Sequence, residues 1–228
     1  PEFGRVVRDG MLTGPGIETP IDIRGELGAL AECADVPDFT SVDDVLPLLH
    51  SAPADAVFVG ARGMAQALAK RLGLETQEDV RSIPVPLCIV VGSTDPITLV
   101  EIDTLKTSGQ PYHLVEAPSG VLPAKPDGAL GSVTILQAVP GAAKTPRRVA
   151  ADFAETARPW MEAARSLLMT GGATAEAMMD RLGVSVLSVE GEVLPGLPLC
   201  RSNDKVMITK SGGFGERDTF VQIAGMAE

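Results

Sequence analysis

Residues 4–40 carry no sustained hydrophobic period. Gly, Pro and Asp interrupt each apolar pair, which predicts loops with at most short strands. A regular pattern begins at Ser41. That serine, followed by Asp43 and Asp44, marks a helix start, and Pro47 in the second turn shortens or bends the helix. Ala56-Val57-Phe58-Val59-Gly60 reads as a buried strand, and 63–72 as a helix closed by Gly73 just past its last turn. Together they predict one βα unit.

The second half is more regular. Pro86-Leu87-Cys88-Ile89-Val90-Val91 is a continuous apolar run, as expected of a parallel strand buried on both faces. Gly92-Ser93-Thr94-Asp95-Pro96 turns it into a helix whose apolar side would be Ile97, Val100, Ile102 and Leu105. Strands are predicted at 113–115, 133–136, 166–170, 184–187 and 206–209. Helices are predicted at 146–164 (bent or split by Pro159), 174–182 and 217–224, and 117–131 is a Pro/Gly-rich loop. Strands alternating with helices predict an α/β layered fold with a mainly parallel sheet.

Charge narrows the partners. Thirty acidic residues against nineteen lysines and arginines give a formal net charge of −11, a surface that repels nucleic acid. A mononucleotide remains compatible, because backbone N–H groups at a helix start hold phosphate without net positive charge. Apolar runs are strand-sized and no secretory signal pattern opens the chain, so no membrane partner and a cytoplasmic location are expected. Pro1-Glu2-Phe3 resembles a cloning remnant, and the sequence reads as opening inside a longer one. Cys33, Cys88 and Cys200 lack metal-ligand spacing and only His50 and His113 could join them, so no metal site is expected; reduced, structural cysteines are. Trp160 and Met161 read as core, and His113 as a packed or surface residue.

Three glycine-bearing turns follow predicted strands: Gly92-Ser93-Thr94, Thr170-Gly171-Gly172-Ala173-Thr174 and Lys210-Ser211-Gly212-Gly213-Phe214-Gly215. Ligands of open α/β sheets settle beyond the carboxyl ends of the strands, where such turns expose N–H groups and let backbone approach a phosphate. None of the three carries the Gly-Lys-[Ser/Thr] ending of a P-loop, and no Gly-x-Gly-x-x-Gly turn near a first strand supports a dinucleotide oxidoreductase. Lys210 could neutralise phosphate or stand solvated; Ser119-Gly120 lacks the preceding glycine of a nucleophile elbow.

These turns, together with Gly191-Glu192-Val193-Leu194-Pro195-Gly196-Leu197-Pro198 and the run Val90-Val91-Gly92-Ser93-Thr94-Asp95-Pro96, resemble the C-terminal nucleotide-binding domain of the four-carbon acid sugar kinase family. The resemblance implies a nucleotide-binding domain over 81–228 and, over 1–80, the closing part of the N-terminal sugar-acid-binding domain, a remnant of a second α/β domain. It implies ATP with Mg2+ as cofactors and phosphorylation of an acid such as threonate, erythronate or oxo-tetronate. Carried over by motif, the nucleotide contacts would be Ser93, Gly171, Gly172, Ala173, Thr174 and Gly212, with Thr174 capping the following helix. Two departures stand out. Gly60-Ala61-Arg62-Gly63-Met64 replaces a Gly-Ser-Ala-Gly-Leu sequence, and the opening Asp-Asp-x-Thr-Gly-Ala type motif has no counterpart, since Asp43-Asp44 runs into Val45-Leu46-Pro47 as a helix start. No catalytic base is carried over, and the chain alone is expected to be catalytically incomplete; an N-terminal segment that restores turnover, or a homo-oligomer, is expected among its partners. The alternative is a non-catalytic nucleotide- or metabolite-binding protein.

Overall fold

The computed structural model describes residues 6–14, 17–32, 36–38, 41–60, 62–74 and 82–228. Pro1–Phe3, Cys33 and Ala61, which figure in the sequence reading, lie outside them. The chain forms two compact units, Pro1–Thr76 and Gln77–Glu228.

In the first unit, β1 (Val6–Arg8), β2 (Met11–Thr13) and β3 (Ile21–Asp22) form a small antiparallel sheet. A short helix α1 (Ile23–Leu27) and a 3-10 turn (Gly28–Glu32) follow, then α2 (Val42–Ser51) and α3 (Arg62–Arg71). Helix α2 starts on a reciprocal cap: Asp44 N–H donates to Ser41 Oγ at 3.3 Å, and Ser41 N–H to Asp44 Oδ2 at 2.9 Å. Asp43-Asp44 is therefore a helix start, and Pro47 is accommodated inside one ten-residue helix. Gly73, at φ +68°, closes α3. Val45, Leu49 and Ala67 make the small core, with Phe58 and Met64 against it. The strand expected at 56–60 does not form. That stretch is without regular structure, and Val57 and Val59 are each 87% exposed.

The second unit runs β4 (Leu87–Val91), α4 (Pro96–Thr107), β5 (His113–Pro118), β6 (Val133–Val139), α5 (Pro146–Ala163), β7 (Ser166–Thr170), α6 (Gly172–Leu182), β8 (Ser188–Leu194), β9 (Leu197–Ser202), β10 (Lys205–Lys210) and α7 (Thr219–Gly225). Seven strands form one sheet in the order β5-β6-β4-β7-β10-β9-β8. The first five are mutually parallel; β9 and β8 extend the sheet antiparallel from β10. Strand β4 lies near the middle, every residue buried, which is why its sequence is continuously apolar.

Helices cover both faces. Ile89, Val91, Leu168 and Ile208 point to α4 and α7, meeting Ile102, Leu105, Phe220 and Ile223. Val90, Met169 and Met207 point the other way, onto α5 and α6, meeting Phe153, Trp160 and Met178. Helix α5 is continuous through Pro159, whose exposed position leaves the packed face intact. The strand expected at 184–187 is displaced: those residues are irregular, and the pairing begins at Ser188. On α4 the buried face is Thr98, Glu101, Ile102 and Leu105, whereas Val100 is 39% exposed, so two polar residues stand where Ile97 and Val100 were expected.

Candidate functional site

Register brings the three glycine turns to one level. Val91 is paired with Thr170, and Thr170 with Lys210, so β4, β7 and β10 end side by side. Helix α4 leaves β4 toward one face of the sheet, while α6 leaves β7 toward the other. Where neighbouring strands send their connections in opposite directions, a crevice opens beyond their carboxyl ends, and this is where α/β sheets hold ligands.

Ser93 stands at the centre of the convergence. Its Oγ accepts from the Asp95 amide at 3.2 Å, and Asp95 in turn caps α4 through Oδ1 on the Ile97 amide at 2.9 Å. A Cβ added to Gly212 would overlap Ser93 Oγ, and one added to Gly171 would lie 3.7 Å from Ser93 Cβ. Gly92 is equally committed, because a Cβ there would overlap the Thr174 hydroxyl. Two of these glycines thus exist to let the turns touch.

Gly171, at φ +85°, is the N-cap of α6; its own N–H is taken by Lys210 O at 2.9 Å, and no side chain caps the first turn of the helix. Thr174 is therefore not the cap. It sits within the first turn, buried under Gly92, and acts as a packing residue. Gly172 and Ala173 are exposed, and a Cβ on Gly172 would meet nothing within 4 Å. The uncapped amides of α6 thus border open space, the arrangement in which a helix start accepts an anion.

Lys210 is neither solvated nor turned to the crevice. Its side chain is fully buried on the α4 face, with Nζ 2.8 Å from Glu101 Oε2, itself fully buried. Burial pushes the Glu101 carboxyl up to about 7, with the Lys210 ammonium and the Thr219 hydroxyl pulling the other way. Lys210 Nζ also donates to Thr98 Oγ1 at 3.2 Å and to Ser211 O at 3.4 Å, and lies 5.6 Å from the centre of the Phe220 ring. Thr98 and Glu101 were missed in the sequence, although positions 98, 101, 102 and 105 share one helical face.

The remaining candidates stay apart. His113 is exposed, its ring centre 6.4 Å from that of Trp160, which is buried with Met161. Ser119 donates to Ala142 O at 2.7 Å inside the loop after β5. Cys88 is core, its thiol pushed up to about 12 by burial. Among the described residues, no three His, Cys, Asp or Glu side chains gather as a metal site, and no helix is long and apolar enough to cross a membrane.

Residues 121–220 match the family described as a nucleotide-binding C-terminal domain. The D-threonate kinase of Cupriavidus necator is 35% identical over 74 residues, which are 30% of this chain and 18% of that enzyme, so the match spans less than a fifth of the relative. Among solved structures, a domain of unknown function from Bordetella bronchiseptica, a domain-swapped dimer with bound citrate, superposes with a TM-score of 0.52 at 21% identity. That superposition covers 99% of this chain and 69% of the other. A protein from Haemophilus influenzae gives 0.56 at 15% identity, covering 99% and 72%. At such identities the likeness is one of fold.

Proposed function

We propose that this chain, tied by these similarities to the four-carbon acid sugar kinase family, binds ATP where β4, β7 and β10 end, as the nucleotide-binding part of a kinase for a tetronate-type acid. The observation that carries the reading is the convergence of three glycine turns around Ser93 beside the uncapped start of α6.

In this reading the first-turn amides of α6, from Gly172 to Thr174, receive phosphate oxygens, and the helix start adds its partial positive charge. Ser93 offers a hydroxyl from the end of β4, and Gly212 lets the third turn close on it. The donor set fits a phosphate chain: amides and a hydroxyl around open space, with Gly172 leaving room that a side chain would fill. ATP would supply the phosphoryl group, and magnesium, held through its phosphates and water, would neutralise charge during transfer.

Transfer also needs the acceptor hydroxyl held in line near a positioning carboxylate. This sequence has no Asp-Asp-x-Thr-Gly-Ala motif to supply one, which also keeps a binding-only role as the second reading. The test is calorimetric titration of the chain with ADP and magnesium, alongside a coupled ADP-release assay on threonate, erythronate and oxo-tetronate. Binding without turnover is expected. A folded chain that takes up no nucleotide at millimolar concentration would refute the site; turnover above about 1 s⁻¹ would show the chain to be catalytically complete.

A further inference from the structure

Lys210 has three N–H donors and no acceptor. Inside the protein its Nζ pairs with Glu101 Oε2 at 2.8 Å and donates to Thr98 Oγ1 and, at 3.4 Å, to Ser211 O. Because the ammonium can only donate, Thr98 Oγ1 must receive from it and send its own proton elsewhere. It donates to Gly212 O at 2.7 Å. The hydroxyl is thereby fixed in one orientation, and the carbonyl it holds belongs to the glycine that closes on Ser93.

The far end of the same turn rests on the same group. Gly215, at φ +101°, lies so close that a Cβ would overlap Glu101 Oε1 and stand 2.7 Å from Thr219 Oγ1 and 3.0 Å from Lys210 Cε. Thr219 Oγ1 accepts from the Glu216 amide at 2.7 Å, and the Phe214 amide donates to Ser211 O at 3.0 Å across the turn. A buried ion pair is an expensive way to fill a core, and an apolar pair of the same volume often serves stability as well. What an apolar pair cannot do is orient the Thr98 hydroxyl toward Gly212 O and donate to Ser211 O.

We infer that Lys210, Glu101 and Thr98 are positioning residues that hold the turn 211–215 from beneath, and that Lys210 does not contact the nucleotide. The second clause rests on the ATP reading above; the first does not.

Two measurements separate them. The first is hydrogen exchange of the 211–215 amides in the nucleotide-free chain, for wild type, Thr98→Val, and the paired replacement Lys210→Met with Glu101→Leu, which leaves no orphaned charge. Both variants should exchange faster there, by about tenfold for the loss of one hydrogen bond, with the β4 and β7 amides unchanged. Unchanged exchange in the turn overturns the inference. The second is ADP titration with magnesium. Thr98→Val, which removes no charge, should weaken binding about tenfold, and adding Lys210→Met with Glu101→Leu should cost at most the one further hydrogen bond to Ser211 O, because all three act through the turn. If Thr98→Val binds like wild type while the paired Lys210→Met and Glu101→Leu replacement is impaired, Lys210 acts on phosphate directly and the positioning role is wrong. If wild type binds no ADP yet the turn loosens in the variants, the brace stands and the nucleotide reading falls.

Discussion

Gly172 differs from its neighbours in one respect that makes it the sharpest probe of the site. Substituting Gly171 strains a backbone at φ +85°, and substituting Gly92 or Gly212 drives a side chain into Thr174 or Ser93, so losses there would mix folding with binding. At Gly172 a methyl group meets no heavy atom within 4 Å. Gly172→Ala is expected to leave the melting temperature level or raised, since alanine favours a helix, while ADP affinity falls at least severalfold; melting curves and titration on one sample check both halves. Glu101 makes a different test. With its carboxyl raised from 4.5 to about 7, the folded chain keeps a proton that the unfolded chain has released. Its contribution to stability is therefore complete below about pH 4.5 and lost as pH rises through about 7. Urea midpoints at pH 5 and pH 8 should differ more in wild type than in Glu101→Gln, which lacks the carboxyl.

Elements with a continuous apolar run were legible, because a strand buried on both faces leaves no polar position to obscure it: β4 and β7 agree with the sequence to within a residue. The Ala56–Gly60 run is just as apolar in composition but finds no neighbouring strand among the described residues, and without one Val57 and Val59 face water. The hairpins of β8, β9 and β10 were obscured for another reason. Their outer residues are polar, and Pro195-Gly196 read as part of a motif, although Gly196 at φ +82° and Asn203 at φ +55° turn the chain in two residues each. In the candidate site, the glycines were visible because the turns follow strands. The Lys210–Glu101 pair was not, because charge on a helix usually means solvent, and only the sheet packed over α4 makes Glu101 internal.

Across the second unit, one sheet covered on both faces provides the rigid base from which the three turns project. The residues entering and leaving this unit are themselves laced together. Ile83 N–H donates to Met226 O at 2.8 Å, Val85 N–H to Glu228 O at 3.2 Å, and Glu228 N–H to Ile83 O at 3.0 Å. The strand that carries the first turn is thus entered from a segment clamped by the last residues of the chain. Topologically the unit is close to a ring, and where a ring is cut matters less than whether its contacts survive. A circular permutant that joins residue 228 to residue 82 by a few glycines and opens within the exposed 127–129 loop is expected to show the circular dichroism and ADP affinity of the unpermuted 82–228 fragment. Removing residues 226–228 instead unlatches the ring at its closure, and that truncation should melt earlier than the permutant.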